Sequence, residues 1–253
     1  MREVNLSVHG PVGVIEINRP EARNAINNAV AQGIANALEE VGRRDDLRVA
    51  VLTGAGGNFC AGMDLKAFLR REVVRLPGSG FAGITQARFD KPLIAAVEGY
   101  ALAGGFEIAL ACDLIVAAAD ARFGLPEVKR GLVANAGALL RLPRQLPARV
   151  ATELVLLGDA VPADFLMAHG LINRVTPPGG SLAAALELGT KIAANAPLSL
   201  AVSKRVMTES ADWRRGEMFE LQQQLTGPVF TSEDAREGAL AFAEKRAPRW
   251  RGA

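Results

Sequence analysis

Residues 92–128 read PLIAAVEGYALAGGFEIALACDLIVAAADARFGLPEV. PLIAAVEG and DLIVAAA are apolar runs of strand length, ARFG is a third short run, and an apolar helix from about Gly104 to Ala111 lies between the first two. Strand and helix alternating at this spacing predict an α/β protein with layered sheets. Two glutamates, Glu107 and Glu127, stand in this apolar ground. A carboxylate that loses its water without a partner is heavily penalised, so each needs a reason to be there.

Upstream, VNLSV and VGVIEI read as a hairpin closed at His9-Gly10-Pro11. Asn27 then opens a helix whose apolar positions Ile26, Val30, Ile34, Leu38 and Val41 recur every three or four residues, so one face must be buried. RVAVLTG is a buried strand and leads into the Gly-rich GAGGNFCAGMDL. A charged helix is predicted over 66–75, then a loose, mobile segment around Pro77, Gly78 and Gly80. Beyond Val150 helical patterns dominate, over 152–157, 162–169, 181–195, 197–210, 213–224 and 232–245, the last with Thr231 as N-cap and Asp234 three residues on. No internal repeat is visible in the sequence.

With 253 residues and 49% hydrophobic content the chain has material for a large core. A net charge of +2 argues against a dedicated nucleic-acid binder. Two cysteines, Cys60 and Cys112, make no disulfide framework, and the start MREVNLSVHG lacks an apolar core of signal-peptide length. A soluble, cytoplasmic protein is expected. With only His9 and His169, His-dependent triads and zinc sites have little support. Residues 78–83 match GxGxxG formally, but RREVVRLP before them is no strand, which argues against a dinucleotide site. Aromatics at 5% leave little to build a glycosidase's sugar platforms.

Four features could carry chemistry. The glycine-rich loop 54–65 can point backbone N–H groups at an acceptor, although it serves equally as a strand-to-helix connection. Ala103-Gly104-Gly105 precedes a helix, where unsatisfied N–H groups stabilise negative charge; alone it is also a tight turn. If the two loops converge they form an oxyanion hole. Glu107 lies on the first turn of that helix, where a carboxylate also simply stabilises a helix start. Glu127 follows Pro126, and a salt bridge to Lys129 or Arg130 is its alternative reading.

NRPEARNAI, NFCAGMDLKAF, GYALAGGFEIALACDLIVAAADARFGLPEVKRGL, GLINRV and FAEKRAPRW occur in this order, and together they resemble the crotonase (enoyl-CoA hydratase/isomerase) superfamily over essentially the whole chain. The resemblance implies a spiral of ββα units over residues 1–195 and a C-terminal helical oligomerisation region over 196–253, forming a homotrimer or dimer of trimers. It implies an acyl-CoA substrate, with coenzyme A part of that substrate and no separate cofactor or metal. The thioester oxygen would receive the Met63 and Gly104 amides. Glu107 would orient and deprotonate a water, and Glu127 would deliver a proton to C2 of a 2-enoyl-CoA.

Residues matching the family's binding segments are Ala22, Arg23 and Ala25 for CoA, and Ala61, Gly62, Asp64 and Leu65 along the acyl and pantetheine path. Phe230 and Lys245 would reach a neighbour's CoA site. Glu21 stands where some hydratases have lysine, and Asn135 replaces a glycine beside the expected water site. Both glutamates together favour hydration. The alternatives are an enoyl-CoA isomerase or other crotonase-type lyase, and an RNA-binding protein of this fold. Lys129, Arg130, Arg141, Arg144 and Arg149 give the RNA reading a basic stretch, which a solvated or oligomer-facing surface explains as well.

Overall fold

The computed structural model describes residues 2–253. β1 (Val4–His9) and β2 (Val12–Ile17) form the expected antiparallel hairpin, in register from Val4 opposite Ile17 to His9 opposite Val12. In α1 (Asn28–Arg43) the Asn27 side chain accepts the Val30 amide as N-cap, and Val30, Ile34, Leu38 and Val41 form the buried stripe. β3 (Val49–Gly54) leads through the glycine-rich loop into α2 (Leu65–Leu69).

The helix expected over 66–75 is therefore much shorter. Asp64 caps its start, but Arg71 adopts a left-handed φ of 57°, and the chain then runs extended. β4 (Arg75–Leu76) pairs with β5 (Gly80–Phe81), so the segment expected to be loose is the turn of a small hairpin with Gly80 and Phe81 buried.

β6 (Leu93–Val97), β7 (Tyr100–Leu102), α3 (Gly104–Ala111), β8 (Leu114–Ala118) and β9 (Arg122–Gly124) follow, and a 3-10 turn at Pro126–Arg130 precedes α4 (Ala138–Gln145) and α5 (Ala148–Leu157). The rest of the chain forms β10 (Val161–Pro162), α6 (Ala163–Ala168), β11 (Arg174–Thr176), α7 (Ser181–Ala193), α8 (Pro197–Glu209), α9 (Met218–Phe230) and α10 (Glu233–Glu244).

The large sheet has the order β1-β2-β3-β6-β8-β11 and is parallel from β2 onward. A small sheet, β10-β9-β7, is prolonged where Cys60 bridges Ala101 in parallel. Three successive turns of chain thus repeat one plan: a strand in the large sheet, a short stretch beside the small one, then a helix. They are β3, Cys60, α2; β6, β7, α3; and β8, β9, α4. This is the ββα spiral, and it is a repeat of geometry without a repeat of sequence.

Alternation along the strands fills two layers. Ala50, Leu52, Ala95, Val97, Ile115 and Ala117 face the main core, whereas Val49, Val51, Ile94, Ala96 and Val116 pack under α7. At the C-terminus Ser232, one residue after the expected Thr231, caps α10 by accepting the Ala235 amide. Asp234 instead accepts the amides of Arg251 and Gly252 at 2.7 and 2.9 Å and ties the chain end back. α9 starts later than expected and continues past Gly227 and Pro228, whose missing N–H leaves the carbonyl of exposed Gln224 to water. Among the described residues no helix is long and apolar enough to cross a membrane.

Candidate active site

The site grows from the N-terminus of α3. Ala103 donates its amide to Gly124 O at 2.8 Å, and its own carbonyl accepts the Phe106 and Glu107 amides, which starts the helix against β9. Phe106 packs its ring edge-on against Phe123 at 5.4 Å between centroids, an arrangement contributing about 0.5–1.5 kcal/mol beyond burial. Gly105 has no room for a side chain, since a Cβ there would fall 2.0 Å from the Cys60 carbonyl oxygen. That close approach lets the loop 59–63 cross the end of α3, so that a Cβ on Gly62 would come 3.2 Å from the Gly104 nitrogen.

Two backbone amides lie side by side here. The parallel bridge between Ile26 and Met63 uses the Gly62 carbonyl, bonded by Ile26 N at 2.8 Å, and the Asp64 amide, which bonds Ile26 O at 2.9 Å. The Met63 N–H between them is therefore turned away from Ile26. Gly104 opens α3, where N–H groups have no intrahelical acceptor.

Glu107 is 3% exposed. Its Oε1 accepts the Ala136 amide at 2.7 Å and the Ala138 amide at 3.0 Å, leaving Oε2 uncommitted. Burial pushes its carboxyl above the usual range, and the two amides with the charges of Arg75 and Arg141 act the other way. Glu127 sits in the first turn after Pro126, and its Oε2 is buried without a hydrogen-bond partner among the described residues. Burial raises its pKa, and the Glu107 charge raises it further. The alternative partner Lys129 pairs with Asp159 instead. The two carboxyls thus share one neighbourhood and differ in their hydrogen bonds.

Two arginines that sequence reading did not assign to this site support it. Arg141, read as part of a basic surface, is partly buried: it donates to the Thr85 carbonyl, and its guanidinium fills the space a side chain on Gly137 would need. Gly137, at φ 123°, lies between the two residues whose amides hold Glu107. The signal was present in GALLRLP, where Arg141 stands amid apolar residues and calls for a partner nearby. Arg75 donates from Nη2 to both Asn135 Oδ1 and Asn135 O, at 3.1 and 3.2 Å, so the Asn135 side chain is tied to β4.

Ala22, Arg23, Ala25, Ala61, Asp64 and Leu65 lie together as a rim. Ala22 ends a short 3-10 turn, Ala25 O accepts from Arg19, and Ala61 N donates to Arg23 O at 3.0 Å, which sets 22–25 beside 61–64. The Arg23 guanidinium lies 5.5 Å from the Tyr100 ring centroid. Asp64 is committed to capping α2 and to an ion pair with Arg19 at 3.1 Å. Burial would raise its pKa, but Arg19 and the cap amides hold it below the usual range. Leu65 is exposed beside it, and Phe230 and Lys245 stand exposed at the C-terminal ends of α9 and α10.

Residues 8–253 match the family described as enoyl-CoA hydratase/isomerase. The chain is 42% identical over 246 residues to the enoyl-CoA hydratase EchA19 of Mycobacterium tuberculosis, covering 93% of this chain and 91% of the other. It is 39% identical over 260 residues to a carnitinyl-CoA dehydratase of Proteus mirabilis, covering 99% of each. The crystal structure of an enoyl-CoA hydratase from Mycobacterium tuberculosis superimposes with a TM-score of 0.98 at 54% identity over the full length of both chains.

Proposed function

We propose, for a chain that belongs to the enoyl-CoA hydratase/isomerase family, that it is an enoyl-CoA hydratase adding water across the C2–C3 double bond of a 2-enoyl-CoA thioester. The observation that carries this reading is the unequal pair of glutamates, Glu107 buried with Oε1 held by two amides and Glu127 half-buried with Oε2 unpartnered among the described residues, at the N-terminal end of α3. The thioester carbonyl oxygen accepts the Met63 and Gly104 N–H groups, which drain charge from C3 and stabilise the enolate that forms. Each such donor is typically worth about 10²–10³ in rate.

Glu107 is the base. Two amides on Oε1 offset part of what burial costs its ionised form, a raised pKa suits a base, and Oε2 accepts a proton from water as the water oxygen bonds to C3. Glu127 is the acid. Burial and the Glu107 charge raise its pKa and so favour its protonated form, which delivers a proton to C2 as the enolate collapses. One proton leaves Glu127 and one arrives at Glu107, so exchange between the two carboxyls restores the starting state. Asn135 cannot replace either carboxylate in proton transfer.

The acyl-CoA substrate brings its own coenzyme A, and the rim at Ala22, Arg23, Ala25, Ala61 and Leu65 is the surface offered to it. Assembly into trimers is part of this reading. α8 and α9 bury no residue fully, and Phe219, Phe230 and Phe242 are 78, 80 and 88% exposed, so a second copy seated on these helices would take apolar side chains out of water.

The test is incubation of purified protein with crotonyl-CoA, following loss of the enoyl-thioester absorbance and formation of 3-hydroxybutyryl-CoA. Hydration is the expected result. Conversion of a 3-enoyl-CoA without hydration of crotonyl-CoA would establish the isomerase reading in its place.

A further inference from the structure

The hydratase reading fixes the direction of the acyl chain and so defines what meets its distal end. With the carbonyl oxygen at Met63 and Gly104 and C3 beside Glu107, as that reading has them, the acyl chain beyond C3 starts next to the loop that holds Glu107. That loop carries Asn135 and Ala136, and Arg75 grips Asn135 by both oxygens. Arg75 is paired in register with Phe81, whose ring lies against Gly104: a Cβ on Gly104 would fall 2.5 Å from it. The hairpin carrying Arg75 therefore packs directly on the donor end of α3. Among the described residues the Arg75 guanidinium bonds nothing but Asn135, and the residue is exposed to solvent.

We propose that Arg75, held in place by Asn135, selects for acyl groups with an anionic terminus, such as enoyl thioesters of dicarboxylic acids, and against acyl groups bearing a quaternary ammonium. With Nη2 given to Asn135, the Nη1 and Nε hydrogens have no partner among the described residues, and either can donate a charge-assisted hydrogen bond to one carboxylate oxygen. A quaternary ammonium is recognised on aromatic faces or by an unpaired carboxylate. Here the one aromatic ring of the hairpin, Phe81, is packed on Gly104, and the Glu107 charge is already met by two amides. The presence of carnitinyl-CoA dehydratases among the relatives makes the distinction a practical one, since a carnitinyl group carries a quaternary ammonium.

The proposal rests on the hydratase reading, and the two separate in one set of measurements. Affinities of the saturated thioesters glutaryl-CoA, butyryl-CoA and γ-butyrobetainyl-CoA, which cannot react by hydration, are measured by calorimetry for the wild type, Arg75→Gln and Arg75→Lys. Crotonyl-CoA hydration by the wild type tests the underlying reaction separately. The wild type is expected to bind glutaryl-CoA about tenfold or more tighter than γ-butyrobetainyl-CoA. Arg75→Gln should collapse that ratio, and Arg75→Lys should keep most of it. Equal ratios in wild type and Arg75→Gln, or tightest binding of the ammonium thioester by the wild type, would overturn the proposal whether or not crotonyl-CoA is hydrated.

Discussion

The Cys60 carbonyl oxygen lies directly under Gly105, so close that a β-carbon there would stand 2.0 Å away. Backbone meets backbone at this point, and neither side can rotate out of the way. The contact sets Met63 and Gly104 in adjoining positions. Gly105→Ala must push α3 off the loop, at a cost of about 1–3 kcal/mol for a forced shift in packed surroundings. Thermal unfolding should show lowered stability, and kcat should fall at least tenfold as the donors separate. An unchanged kcat would mean that this approach does not define the donor geometry.

Ala103 holds φ 52° and ψ −128°, a conformation that an L-residue with a β-carbon adopts at a cost of about 1–3 kcal/mol. Glycine would adopt it freely but loses up to about 1 kcal/mol through the unfolded chain. Ala103→Gly is therefore expected to raise stability by about 1 kcal/mol, read by denaturant or thermal unfolding. A loss of stability would show that the strain is smaller than the entropy term.

The raised carboxyl of Glu107 makes stability depend on pH with a definite sign. Its folded pKa lies above the unfolded value near 4.5, so the folded chain holds that proton more tightly. The stability it contributes is full below the unfolded pKa and is lost as pH rises through the folded pKa. Glutamine in its place keeps an oxygen for the Ala136 and Ala138 amides and does not titrate. The melting temperature of Glu107→Gln relative to wild type should therefore climb as pH is raised from 4 to neutrality. A difference that shrinks over that range contradicts the assigned direction.

Phe242 is 88% exposed on α10, with Leu240 half-exposed on the same helix. If these side chains are covered by a second copy, Phe242→Asp should convert the oligomer to smaller species in sedimentation velocity. Wild type sedimenting as a monomer would remove the trimer from the account.

Much of this arrangement was legible in the sequence for physical reasons. The strands at 4–9, 12–17, 49–54, 93–97 and 114–118 declare themselves because burial forces a regular apolar pattern. β7, β10 and β11 are only two or three residues long, too short for any period to appear. α2 ends early because Arg71 turns left-handed and the Arg71 and Glu72 amides close back on Phe68 O and Ala67 O, a helix end that a charged run of good helix formers does not signal. Glu107 and Glu127 stood out as charges in apolar ground, whereas the Ala136 and Ala138 amides carry no side-chain signal at all. Arg75 was hidden by the misread helix, since as a residue of α2 it would never have reached Asn135.

Glu107 and Glu127 are proposed as base and acid, and the most direct test is hydration of crotonyl-CoA by Glu107→Gln and Glu127→Gln, with folding checked by circular dichroism. Glutamine preserves shape and hydrogen bonding at both positions and removes only proton transfer, so kcat should fall by about 10²–10⁴ in each variant with the fold intact. Near wild-type hydration by either folded variant would contradict the two-carboxyl mechanism.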